Sequence, residues 1–220
     1  MNNISLLLKI LFSCLLFVFV LTVFDKPVFA NKTNSEQMTE EELRTASKSD
    51  GEAESLTSKA SDPIGKEGVW GMKVNFIIDR PANDVYNALK QIEKYPEFVE
   101  KVKRVEVLKR TSDGVIVEYT EGGMGFEVAS TQEWKFDPKN RTIIMKNIGK
   151  DDKAAFQEIQ IQEVGHPAYS RVIMTVFADI SWLPNFIMSW ATSTAGKEMA
   201  SYSRKLVADI LKSEKDNHNQ

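Results

Sequence analysis

Between residues 102 and 180 turn chemistry cuts the chain at nearly regular intervals, and each interval reads as a strand. The cuts are Ser112-Asp113-Gly114, Gly122-Gly123, Asp137-Pro138-Lys139-Asn140, Gly149-Lys150-Asp151-Asp152 and Gly165-His166-Pro167. They separate strands expected over 104–109, 115–120, 124–136, 141–147, 156–164 and 171–180. Connections this short force antiparallel neighbours, because a parallel crossover needs a dozen or more residues. An earlier run over 69–79 places Trp70, Met72, Val74, Phe76 and Ile78 on one face, so the expectation is about seven strands. A single long helix is expected last, over 184–212, where Met188, Ala191, Ala195, Met199, Tyr202, Leu206 and Ile210 recur at spacings of three and four. A strand meander followed by one striped helix confines the chain to an α+β architecture with the helix laid on one sheet face. Gly196 weakens that helix by about 1 kcal/mol relative to Ala. It is either tolerated there or marks a place where the sheet or a ligand comes close.

The segment 81–98 joins the first strand to the meander. Pro81 suits a first helical turn, and Val85, Leu89 and Ile92 fall on one face. The helix is expected to stop at Tyr95, since the ring of Pro96 pushes the preceding residue out of the α region. Phe98, Val99 and Val102 suggest a second short helix. The ending Lys94-Tyr95-Pro96-Glu97-Phe98 resembles the START-like (SRPBCC) superfamily, especially its coenzyme-Q-binding and polyketide cyclase/dehydrase branch. Trp182-Leu183-Pro184-Asn185-Phe186 is similar to the Leu/Ile-Pro-x-x-aromatic opening of the last helix in START-type lipid-transfer domains. The resemblance implies a helix-grip fold over 67–213, a curved antiparallel sheet wrapped round the C-terminal helix and enclosing an apolar pocket.

The flanks read differently. Residues 1–30 hold Lys9, an apolar core over 10–24 and Val28-Phe29-Ala30 before polar Asn31, the pattern of a signal peptide cleaved after Ala30. The expected location is secreted or periplasmic; an uncleaved N-terminal anchor is the alternative. Residues 31–66 are polar and free of aromatics, and are expected to form a flexible linker; 214–220 is expected to be a disordered tail. Cys14 is the only cysteine, so cleavage leaves no thiol for disulfide, nucleophile or metal chemistry. A formal charge of −3 gives no reason to expect nucleic acid as a partner.

Catalytic raw material is thin. His166 lies in a turn and His218 in the tail, and no nucleophile elbow or phosphate-cradling loop appears, so neither metal, cofactor nor catalytic residue is assigned. Glu127, Glu133 and Lys135 share the solvated side of their strand. Ser130 and Gln132 lie on its apolar side, where they either meet a ligand's polar end or are wetted near a strand end; Asp179 is either a rim charge or a buried polar contact. The candidate ligand-binding residues are Val74, Phe76, Tyr95, Phe98, Val117, Tyr119, Met124, Phe126, Val128, Ser130, Gln132, Trp134, Met145, Met174, Val176, Trp182, Met188, Met199 and Tyr202. Methionines suit a wall that adapts to its contents. The apolar patch 182–190 is core, a pocket lid or a transient membrane contact.

These readings lead to an exported protein that binds or carries a hydrophobic small molecule: a lipid, a quinone or a polyketide-like ring system. The resemblance also admits a cyclase/dehydratase-like enzyme, or a protein-interaction module. Two or more ionisable groups converging in the cavity with shifted pKa values would separate an enzyme from a carrier.

Overall fold

The computed structural model describes residues 38–57, 64–65, 67–123, 126–150, 155–179 and 185–218. Eight strands form one antiparallel sheet: β1 (Glu52–Thr57), β2 (Trp70–Ile78), β3 (Val102–Arg110), β4 (Gly114–Gly123), β5 (Phe126–Asp137), β6 (Thr142–Asn147), β7 (Ala155–Glu163) and β8 (Ser170–Ala178). Their spatial order is β1-β2-β8-β7-β6-β5-β4-β3, so the two edges are β1 and β3 and the sheet does not close. The helices are α1 (Glu40–Ala46), α2 (Ala82–Leu89), α3 (Tyr95–Phe98) and α4 (Asn185–His218). The meander takes the strand positions expected from its turns, and the α+β helix-grip architecture is as expected.

Alternation along each strand decides the inner face. Cross-strand partners share a face, and the register aligns Met72 with Val176, Val74 with Met174, Ile159 with Met174, Trp134 with Met145 and Tyr119 with Ser130. This face meets α4, whose Met199, Ala200, Ser203, Leu206, Val207 and Ile210 are buried at helical spacing. One core runs through both, with Val85, Leu89 and Ile92 closing an end of it.

Four features differ from the sequence reading. The expected linker 31–66 holds α1 and β1 over its described part. Thr39 and Glu42 form a reciprocal capping box at α1, and Leu43 is fully buried against Ile77, Val164 and Tyr169. Among the described residues the sheet therefore has eight strands rather than about seven, because β1 pairs with β2 from Glu52↔Asn75 to Thr57↔Trp70. The 81–98 helix breaks at Leu89 and passes through a 3₁₀ turn (Ile92–Lys94); Pro96 then sits in the first turn of α3, where it lacks no needed donor. At the C-terminus α4 runs on to His218 instead of ending at Lys212, with Glu214 accepting from Gln91 Nε2 at 2.9 Å and lying 3.8 Å from Lys94 Nζ.

Residues 38–57 act as a strap across α4. Arg204 donates from Nε to Ile77 O at 2.9 Å, from Nη1 to Ser49 O at 2.7 Å and from Nη2 to Ala46 O at 3.3 Å. Its guanidinium also lies 5.6 Å from the Phe76 ring centroid. Gly196 marks the crossing: a Cβ there would stand 2.5 Å from Ala53 Cβ, so β1, not a ligand, is what the glycine admits.

Candidate functional site

Among the described residues, an outer and an inner hollow lie between the sheet and α4. The outer one, about 270 Å³, is lined by Phe98, Val99, Val102, Tyr119, Glu121, Met199 and Tyr202, with Glu100, Lys101, Glu198 and Lys205 at its margin. The inner one, about 60 Å³, lies among Leu89, Tyr95, Tyr119, Glu121, Gln132, Trp134, Met145, Gln157, Ile159, Met174, Met199, Tyr202, Ser203 and Leu206. Tyr119, Glu121, Met199 and Tyr202 border both, and so form the neck between them.

The elements place these side chains for local reasons. Tyr119 and Glu121 are alternate residues of β4, so both point inward with Val115 and Val117. Met199, Tyr202, Ser203 and Leu206 are one stripe of α4. Tyr95 is drawn in by its phenol, which donates to Leu89 O at 2.6 Å and satisfies a carbonyl at the end of α2. Trp134 meets Tyr95 edge-on at 6.3 Å between centroids and Tyr119 at a tilt of 33° and 6.4 Å. Its Nε1–H donates to Gln132 Oε1 at 2.9 Å, and Gln132 Nε2 donates to Ser130 Oγ at 3.0 Å. The polar residues on the inner face of β5 thus satisfy one another in a chain.

Burial governs the electrostatics. It pushes the phenols of Tyr95, Tyr119 and Tyr202 well above the usual tyrosine range; the Tyr95 phenol is raised by burial alone, while Glu121 and Tyr95 add to the rise at both Tyr119 and Tyr202. Burial also raises the Glu121 carboxyl to about 7, outweighing the opposing pull of Lys101. The neck therefore holds two neutral phenols beside one carboxyl raised to about 7.

Tyr95, Phe98, Tyr119, Gln132, Trp134, Met145, Met174, Met199 and Tyr202 line one or both hollows. Val74, Phe76 and Val117 are closely packed core, Val176 packs against that core, and Val128 and Ser130 lie on the inner face of β5 away from either lining. Met124 and Trp182 fall outside the described residues, as do the side chains of Phe126 and Met188. Sequence reasoning missed Glu121, Lys101 and Ser203. The β4 alternation Val115, Val117, Tyr119 carries on to Glu121, but the expected strand ended at Thr120. Ser203 follows Met199 by four on the same stripe.

His166 is remote from the neck; its Nδ1 accepts from Ala168 N at 3.2 Å, and its Nε2 lies 3.8 Å from Glu40 of α1. Among the described residues no group of His, Cys, Asp and Glu is arranged to hold a metal, and no helix is long and apolar enough to cross a membrane.

Comparison with known proteins follows the same fold. The family model described as polyketide cyclase / dehydrase and lipid transport matches residues 78–200. Among solved structures, a protein of Thermus thermophilus is similar at a TM-score of 0.53 and 17% identity, covering 64% of this chain and 97% of its own. A START superfamily protein of Mycobacterium smegmatis follows at 0.52 and 12%, covering 64% and 98%. The Zhui aromatase/cyclase of a Streptomyces species reaches 0.50 and 14%, covering 64% and 92%. No curated protein sequence matches the chain.

Proposed function

Because the chain belongs to the polyketide cyclase/dehydrase and lipid-transport family of the START-like superfamily, we propose that it is an exported binding protein or carrier for a hydrophobic small molecule such as a lipid, a quinone or a polyketide-like ring. One observation carries this reading: the cleft of about 270 Å³ between the Tyr95–Phe98 corner and α4, walled by Phe98, Val99, Val102, Met199 and two tyrosines and continuing into the inner hollow. A cleft this size lies just below the usual range of small-molecule sites, which favours a compact ligand over a two-chain lipid. Affinity comes from apolar burial at about 25 cal/mol per Å², with a few polar groups at the neck setting orientation.

Native mass spectrometry of the chain purified without delipidation tests the proposal. The expected result is a mass excess from a bound apolar molecule. An apo mass, together with no uptake of lipids or quinones offered in vitro, refutes it.

The convergence of Tyr95, Tyr119, Tyr202 and Glu121 supports a second reading, an enzyme of the cyclase or dehydratase kind using Glu121 for proton transfer. Conversion of a poly-β-ketone, abolished by Glu121→Gln, would favour it over a carrier. Export rests on the pattern of residues 1–30. N-terminal sequencing of exported protein should begin at Asn31, whereas an intact membrane-bound chain means an uncleaved anchor. Transient membrane contact through 182–190 rests on sequence alone.

A further inference from the structure

We propose, on the reading of the cleft as a binding site, that its ligand is a compact apolar molecule bearing a neutral oxygen, a carbonyl or hydroxyl. It enters oxygen first, and the neck around Glu121 turns carboxylate-headed molecules away.

Volume sets the orientation. The inner hollow of about 60 Å³ has room for only a few water-sized groups. It accepts a small polar head, so the body of the ligand must remain in the outer cleft against Phe98, Val99, Val102 and Met199. The part that reaches deepest is the part that meets the neck, and there the polar groups stand. Oxygen-first entry places that atom within the ring of Tyr119, Tyr202 and Glu121; the reverse pose would strand a polar head outside and press apolar atoms on three hydroxylic groups.

Charge sets the class. The groups that share a lining with Glu121 are Tyr119 on its own strand, Glu100 and Lys101 before β3, Tyr95 on α3, and Glu198, Tyr202 and Lys205 on α4. Its cross-strand neighbours, Val102 and Val128, are apolar. At the margin two lysines stand against two glutamates, and Lys205 is engaged by Asp209 at 2.8 Å. Lys101 is the cation that pulls the Glu121 pKa down, and it does not offset the burial that makes charge on Glu121 unfavourable. A ligand carboxylate in the same space meets the same penalty, and like-charge repulsion is added once Glu121 ionises.

Protonation then tunes the choice between neutral heads. With its proton on, Glu121 donates to a carbonyl oxygen alongside the tyrosines. Once ionised it can only accept, so a carbonyl loses a donor while a hydroxyl turns and donates.

Equilibrium dialysis of the full chain against four probes of one ring size tests this: naphthalene, acetylnaphthalene, naphthalenemethanol and naphthoate. Acetylnaphthalene and naphthalenemethanol should bind at about pH 6 and naphthoate at least tenfold more weakly; raising to about pH 8.5 should weaken acetylnaphthalene by about tenfold and leave the alcohol and the hydrocarbon nearly unchanged. Glu121→Gln should flatten the acetylnaphthalene profile. Tyr202→Phe should weaken both oxygen-headed probes and spare naphthalene, so the proposal does not depend on one variant folding. Naphthoate binding as well as the ketone, or a pH profile identical in wild type and Glu121→Gln, overturns the inference while leaving the cleft a binding site. Failure of all four probes at both pH values overturns the binding reading along with it.

Discussion

Arg204→Met should release the strap. Met keeps the length and apolar character of the stem and removes every donor. The substitution deletes bonds to three backbone carbonyls, at 2.9 Å on Ile77, 2.7 Å on Ser49 and 3.3 Å on Ala46. These do not count equally. Ser49 is exposed, so water replaces the lost donor there, and the Ala46 bond is long. Ile77 is buried in β2 and its carbonyl loses a charged donor, worth about 1.5–3 kcal/mol. The guanidinium over Phe76 adds about 0.5–1 kcal/mol for a half-buried pair. The expected loss is therefore about 3 kcal/mol, or a Tm lowered by about 6–12 °C for a domain of this size. Thermal unfolding gives the total, and hydrogen exchange shows where it falls: amides of 43–57 should lose protection while those of β4 to β7 keep theirs. Arg204→Lys, with one donor group, should fall between. A Tm within about 2 °C of wild type, or a uniform loss of protection, would refute the strap.

Three further outcomes follow from particular contacts. Stability should fall as pH rises from 4.5 to about 7 through Glu121, because a carboxyl with a raised folded-state pKa is protonated in the native state while the unfolded chain has already ionised. That contribution is present below 4.5 and lost above 7, at most about 3 kcal/mol, and the difference between wild-type and Glu121→Gln denaturant midpoints across that range measures it; no difference removes the buried-carboxyl argument. Gly196→Val should cost about 1–3 kcal/mol by driving side-chain atoms into Ala53, with an unchanged midpoint in urea as the contrary result. Tyr95→Phe should cost about 1–2 kcal/mol by orphaning Leu89 O at the end of α2, read by the same titration; a neutral substitution would show that the phenol is dispensable there.

Much of the architecture was legible in the chain. Alternation gave away the inner face of β2, β5 and β8, since period two needs no knowledge of neighbours, and the stripe from Met199 to Ile210 gave the buried side of α4. The strap was not legible by composition. Residues 40–57 are polar because their order comes from elsewhere: Leu43 fills a hollow made by Ile77, Val164 and Tyr169, and β1 gains its hydrogen bonds from the free edge of β2. The Thr39–Glu42 capping box was the one local sign of it.

The site divides the same way. Tyr119, Trp134, Met199 and Tyr202 could be placed from spacing, because facing a core is a property of one element at a time. Whether such a residue packs solidly, as Val117 does, or borders a hollow, as Tyr119 does, depends on how far α4 stands from each strand. Glu121 shows the limit best. Its alternation with Tyr119 is written in β4, although a strand expected to end at Thr120 left it out. Its carboxyl near 7 was not, because the burial responsible comes from α3, α4 and the approach to β3, brought together only by the fold. Sequence by itself determined which side of the meander strands, of β2 and of α4 is apolar. Tertiary structure alone decided which polar groups are stripped of water, because desolvation is set by what distant segments enclose.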